Sequence, residues 1–101
     1  MFRIIFVFGE VFRYRLRLNT IRRKFYIVVQ YIGPAAEASK FMYEVELSGE
    51  QKEVLIRNRI LEEHVNVDEA FETGKCITLD YDLVRNMGKV SYSVKVSRTA
   101  S

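Results

Sequence analysis

The sequence predicts an all-β domain with minor α content: an antiparallel β-sandwich carrying two short helices. Three observations carry that expectation. Apolar and polar residues alternate with a period of two through several segments, the pattern of strands that bury one face. Glycine, proline, asparagine and serine punctuate those segments at turn-like intervals. The chain has 101 residues, 49% hydrophobic and 29% charged, enough for one small core and too apolar for a disordered segment.

Taken in order, Phe2–Phe8 reads as a strand. Its apolar stretch, Ile4 to Phe8, is only five residues long and meets Gly9-Glu10 without a small-residue cleavage pattern. That is too short for a signal-peptide core or a membrane span, and a soluble chain is expected. Val11–Leu18 places Phe12, Tyr14, Leu16 and Leu18 on one face and Arg13, Arg15 and Arg17 on the other. Residues 19–23 read as a polar turn. Phe25–Ile32 is apolar on both faces apart from Gln30, as a central, well-covered strand is. Gly33-Pro34 closes it, because proline cannot donate to a ladder.

Lys40–Ser48 alternates again, with Phe41, Tyr43, Val45 and Leu47 inward and Met42, Glu44 and Glu46 outward. A turn at residues 48–50 and a strand at Lys52–Arg57 complete a hairpin. Val67–Thr73 carries Asp68 and Glu69 near its start and Gly74 after its end, as a capped helix does. Cys76–Asp80 is a short strand. Asp82–Met87 is a second short helix with Asp82 as its N-cap, and Lys89–Ser97 is the last strand. Six or seven strands and two helical connections make a single domain over residues 1–97, followed by a flexible tail at 98–101.

The residues able to do chemistry are few. One cysteine and one histidine supply neither an internal disulfide nor the four or so ligands of a structural zinc site, so a reducing compartment is expected, cytoplasmic and also nuclear. Cys76 reads as a small buried hydrophobe and His64, after two glutamates, as a surface residue. Asp80 and Asp82 flank Tyr81, where helix capping accounts for Asp82 without catalysis. The five glycines are isolated and form no phosphate-binding loop. No catalytic centre, cofactor or metal is expected.

Charge is distributed unevenly. Residues 1–30 hold seven Lys/Arg and one acid, and residues 31–101 hold nine and twelve, so the balances of +6 and −3 sum to +3. The concentrated feature is the Arg13, Arg15 and Arg17 face. One reading is a basic surface for RNA or single-stranded DNA, but Tyr14 lies on the opposite face and cannot stack beside the arginines. The other reading pairs them with Glu44 and Glu46 across a sheet, or leaves them as a solubilising face. Nucleic-acid binding is therefore the alternative. A small β domain without a reaction centre is suited to binding, and a free sheet edge accepts an extended peptide by strand addition.

From residue 25 onward the sequence is similar to a known family. The run Phe25-Tyr26-Ile27-Val28-Val29-Gln30-Tyr31-Ile32-Gly33, followed by Phe41-Met42-Tyr43-Glu44-Val45-Glu46-Leu47-Ser48-Gly49, resembles the F-x-I-V-Q-x-I-G and F-x-Y-x-L-E-L-x-G strands of the C-terminal TRAF-like domain of the seven in absentia (Sina/Siah) ubiquitin ligases. The layout after residue 60 agrees: a helix before Gly74, a cysteine-containing strand, a second helix ending at Asn86-Met87-Gly88 and a final alternating strand.

That resemblance implies an eight-stranded antiparallel sandwich that homodimerises and captures short degron-like peptides of substrates and adaptors. In full-length members an upstream RING recruits the ubiquitin-conjugating enzyme and zinc fingers follow it. This chain contains neither, so it is expected to work as an adaptor, as a competitor that dimerises with full-length ligases, or as a fragment of a longer ligase polypeptide. It is also expected to lack the first strands of the domain. In the family the peptide groove uses a strand bearing a Trp and Met residues. Phe2–Phe8 falls at that strand, with Arg3 at the Trp and Ile5 at a Met. Arg3, Ile5 and Val7 share one face and are the expected peptide-binding residues, with the arginine favouring acidic partners.

Overall fold

The computed structural model describes residues 2–99. Hydrogen bonding sorts the alternating segments into two sheets. In chain order the strands are β1 (Arg3–Val7), β2 (Glu10–Asn19), β3 (Lys24–Ile32), β4 (Phe41–Ser48), β5 (Glu53–Arg59), β6 (Leu61–Glu62), β7 (Ile77–Asp80) and β8 (Ser91–Arg98). A 3-10 turn at Ala35–Lys40 and two helices, α1 (Val67–Thr73) and α2 (Tyr81–Arg85), connect them. One sheet runs β1-β2-β3, with β6 and β7 dividing the far edge of β3 between them, and the other runs β5-β4-β8.

The β-sandwich with two short helices is confirmed, with one amendment to its strand count and direction. β6 makes the eighth strand among the described residues and pairs with β3 in parallel, through Gln30 with Leu61 and Tyr31 with Glu62. The other pairings are antiparallel. Two residues carry no readable alternation, so this strand exists only through its partner.

The core lies where the two inner faces meet. Phe12, Ile27, Val29 and Tyr31 of the first sheet face Phe41, Tyr43, Val45, Leu47 and Val96 of the second. Phe12 and Phe41 meet edge to face at 5.0 Å between ring centres, a favoured aromatic geometry. The Tyr43 hydroxyl donates to the Ile27 carbonyl at 3.1 Å, and burial pushes its phenol far above the ordinary range. A smaller cluster forms on the outer side of the first sheet, where Val67, Ala70 and Phe71 of α1 cover Tyr26 and Val28 beside Cys76. This second cover explains why β3 is apolar on both faces. Cys76 is buried, as expected, just ahead of β7 rather than within it.

Local chemistry sets the helix ends. The Asn66 side chain accepts from the Glu69 N–H at 3.1 Å, and Gly74 takes the left-handed conformation that stops α1. The second helix corrects an expectation. It begins at Tyr81, directly after β7, so Asp80 occupies the cap position and Asp82 lies in the first turn. Asp82 is drawn off the cap because its carboxylate pairs with Arg23 across the molecule.

At the C-terminal end of the expected domain, Arg98 belongs to β8, and the Thr99 N–H, in the expected tail, donates to the Lys40 carbonyl at 2.8 Å. Residues 100 and 101 of that tail lie outside the described residues. No helix among the described residues is long and apolar enough to cross a membrane.

Candidate peptide-binding edge

β1 and β2 form a hairpin closed by a two-residue turn in which Phe8 and Gly9 both have positive φ, 57° and 70°. Such a turn matches the twist of the paired strands, although the conformation is costly for a bulky phenylalanine. Tertiary contacts hold it there. The Phe8 ring stacks on Phe41 of the second sheet at 6.2 Å, and the Arg98 guanidinium lies 4.7 Å above it.

The hairpin register determines where each residue of β1 points. Arg3 lies opposite Tyr14, Ile5 opposite Phe12 and Val7 opposite Glu10. Cross-strand partners share a face, so the three expected groove residues do lie together, on the side turned toward the second sheet. Their exposure differs. Ile5 and Val7 are half-buried against the main core, whereas Arg3 is exposed at a depression of about 230 Å³ that it shares with Tyr14, Leu16 and Tyr92. Burial raises the Tyr14 phenol above its ordinary range, and a side-chain hydrogen bond with Tyr92 adds to the effect.

The opposite face of β1 is more open. Phe6 is 77% and Ile4 49% exposed, while Phe2 lies under the Arg13 guanidinium at 4.7 Å. The backbone follows the same division. A two-residue turn makes Val7 and Glu10 a hydrogen-bonded pair, and alternation along the antiparallel ladder extends this to Ile5 and Arg3. Ile4 and Phe6 therefore aim their N–H and C=O groups away from β2, toward an edge with no neighbouring strand among the described residues. The sequence reading missed Ile4 and Phe6. The signal was present, since Ile4 to Phe8 is apolar at every position and so carries no alternation.

The basic face also departs from expectation. Arg15 and Arg17 reach Asp68 of α1 at 3.5 and 3.3 Å, not Glu44 or Glu46. Glu44 instead pairs with Arg57 of its own hairpin at 2.6 Å. β2 and β4 lie in different sheets, so no cross-strand pairing between these residues exists. Arg13 donates through Nε to the Gln30 side-chain oxygen at 3.0 Å. Gln30 is fully buried, and its amide nitrogen donates to the carbonyls of Glu62, Glu63 and Val65. That network makes Gln30 an anchor for the segment after β6, a role its position in an apolar strand does not reveal.

His64, Cys76, Asp80 and Asp82 each have a side-chain partner. His64 is exposed and 3.3 Å from Glu62. Asp80 pairs with Lys24 at 2.7 Å and Asp82 with Arg23, whose hydrogen bond holds the Asp82 carboxyl below its ordinary range. The Cys76 sulfur is buried and lies 3.6 Å from the Thr78 hydroxyl. No cluster of three or more His, Cys, Asp or Glu residues is placed for a metal among the described residues.

Comparison with known proteins identifies the architecture. No curated protein shows a significant match to the chain. The family model for the Sina, TRAF-like domain matches residues 5–94, from the middle of β1 to the middle of β8 and across both sheets. The eight-strand sandwich and a match over nearly the whole chain make this protein a member of the Sina TRAF-like domain family.

Proposed function

We propose that the domain recognises substrate or adaptor peptides by adding them as a strand to the free edge of β1, and that this recognition serves ubiquitin-dependent turnover. The observation that carries the reading is the unpaired backbone of Ile4 and Phe6 on an edge strand with exposed apolar side chains. Backbone bonds to that edge supply affinity and side-chain pockets supply choice. An added strand sends alternate side chains to the two faces of the sheet. One set lies beside Arg3, Ile5 and Val7 near the depression at Tyr92, and the other beside Ile4 and Phe6. Arg3 favours an acidic residue in the first set. The tie of Arg13 to the fully buried Gln30, and the position of Tyr14 on the strand face opposite Arg15 and Arg17, support the protein-binding reading over the nucleic-acid one.

In this reading the domain works in the cytoplasm and nucleus, as a homodimer or paired with full-length Sina-type ligases. Sedimentation at micromolar concentration tests self-association, and a monomer throughout would remove that part. Strand capture is tested with a displayed library of random peptides selected on the purified chain. Ile4→Pro removes an N–H that β2 does not use, so the fold is retained and the added strand loses a bond. The selected peptides should bind this variant at least tenfold more weakly, a loss of about 1.4 kcal/mol. Unchanged binding would overturn the proposal.

A further inference from the structure

The arginines of β2 have a second spacing, independent of the peptide edge. Counting back from Thr20, Arg17 is the third residue and Arg15 the fifth, and the apolar Ile21 follows directly. No other serine or threonine in the chain has arginine at both positions. The structure presents this segment in an accessible form. β2 is extended through Asn19, so Arg15 and Arg17 project from one side, roughly 7 Å apart along the strand.

β1 pairs with β2 only as far as Tyr14, so Arg15–Asn19 have β3 on one side and no paired strand on the other among the described residues. Beyond the strand, Thr20 is exposed and Ile21 is 92% exposed. Both guanidiniums share the single exposed carboxylate of Asp68. Arg15 is half-buried while Arg17 and Asp68 are exposed, and surface pairs of this length are weak and yield to a better acidic partner.

We propose that Thr20 is a phospho-acceptor for a protein kinase that reads arginine three and five residues upstream and an apolar residue immediately downstream. Acidic side chains of the kinase groove take the two guanidiniums, and Ile21 enters an apolar pocket. The Thr20 hydroxyl oxygen attacks the γ-phosphorus of ATP held by the kinase. A new O–P bond forms, the bond from the γ-phosphorus to the β–γ bridging oxygen breaks, and ADP leaves. The hydroxyl proton passes to the catalytic aspartate of the kinase.

The product carries a charge of about −1.5 to −2 at neutral pH. It stands beside Arg23, which lines a depression of about 210 Å³ together with Leu18, Thr20 and Tyr81. Arg23 now holds Asp82 of α2. The phosphate competes for that guanidinium, so modification loosens the tie between α2 and the β2–β3 turn.

The test incubates the purified full chain with an arginine-directed kinase and radiolabelled ATP and maps the modified residue by mass spectrometry. Label is expected on Thr20, with Thr20→Ala lowering incorporation about tenfold or more. Arg17→Ala, checked for an unchanged circular dichroism spectrum, should raise the KM for the chain several-fold. Hydrogen exchange in α2 should quicken in the phosphorylated chain. Incorporation undiminished in Thr20→Ala would overturn the proposal. So would labelling of a peptide covering residues 13–24 without labelling of the folded chain, because the strand would then hide the motif.

Discussion

β1 and β3 are made of similar residues and meet opposite fates. Both are apolar over consecutive positions, Ile4 to Val7 in one and Phe25 to Val29 in the other. β3 has β2 along one edge and β6 and β7 along the other, with the second sheet over one face and α1 over the opposite face. Among the described residues β1 has one neighbouring strand, and Phe6 on its outer side keeps 77% of its surface in solvent. An apolar run creates a demand for cover, but the number of neighbouring elements decides whether that demand is met. The covered strand holds the fold together, and the uncovered one is left with surface and backbone groups to offer a partner.

The largest disruption of this contrast should come from the residue that links the two strands. Phe12 pairs with Ile5 of β1, is fully buried and touches the rings of Tyr31 and Phe41. Phe12→Ala should cost about 3–5 kcal/mol in urea unfolding. A loss near that of a surface substitution would show that the core does not depend on β2. Next comes Gln30→Leu, which strands the carbonyls of Glu62, Glu63 and Val65 and the Arg13 guanidinium, at about 1–3 kcal/mol. Its local signature is faster hydrogen exchange in residues 61–66.

Asn66→Ala removes the α1 cap and should cost about 1 kcal/mol. By loosening the helix over Tyr26 and Val28, it moves the outer face of β3 toward the condition of β1. A smaller effect belongs to alkaline solution. The hydrogen bond to Glu10, with burial second, pushes the Tyr31 phenol from 10.0 up to about 12. Between those values the folded chain holds a proton that the unfolded chain releases, so stability falls as pH rises through that window. Tyr31→Phe should flatten this part of the pH–stability curve, and an unchanged slope would assign the loss to other groups. Least of all, Phe6→Ser should leave unfolding within about 0.5 kcal/mol of the parent. Its effect should appear instead in weaker capture of the peptides selected on the β1 edge.

Legibility in the sequence followed the range of the interaction. The β4–β5 hairpin was readable because its alternation and its turn lie within one short segment, and its register joins Met42 with Arg59 through Ser48 with Glu53. α1 was readable from its acidic first turn and Gly74, both local features. The partner of Arg15 and Arg17 was not, because Asp68 lies more than fifty residues further on. The Asp82 cap failed for the same reason: Arg23, on a distant turn, competes for the carboxylate. In the candidate site, the common face of Arg3, Ile5 and Val7 followed from period two alone. Which side of β1 stays open did not, since only the opposing sheet turns Ile5 and Val7 inward.

By itself the sequence determined the β-rich class, most of the strands, the double-sided character of β3 and the likeness to the Sina TRAF-like domain. Each rests on period, local turn chemistry or a contiguous motif, which short stretches of backbone enforce on their own. Tertiary structure alone decided the parallel pairing of β6, the burial and satisfaction of Gln30, the carboxylate that takes the arginines and the free edge at Ile4 and Phe6. These depend on which distant elements come to lie side by side, and the energy that selects them comes from packing two sheets and a helix around one core.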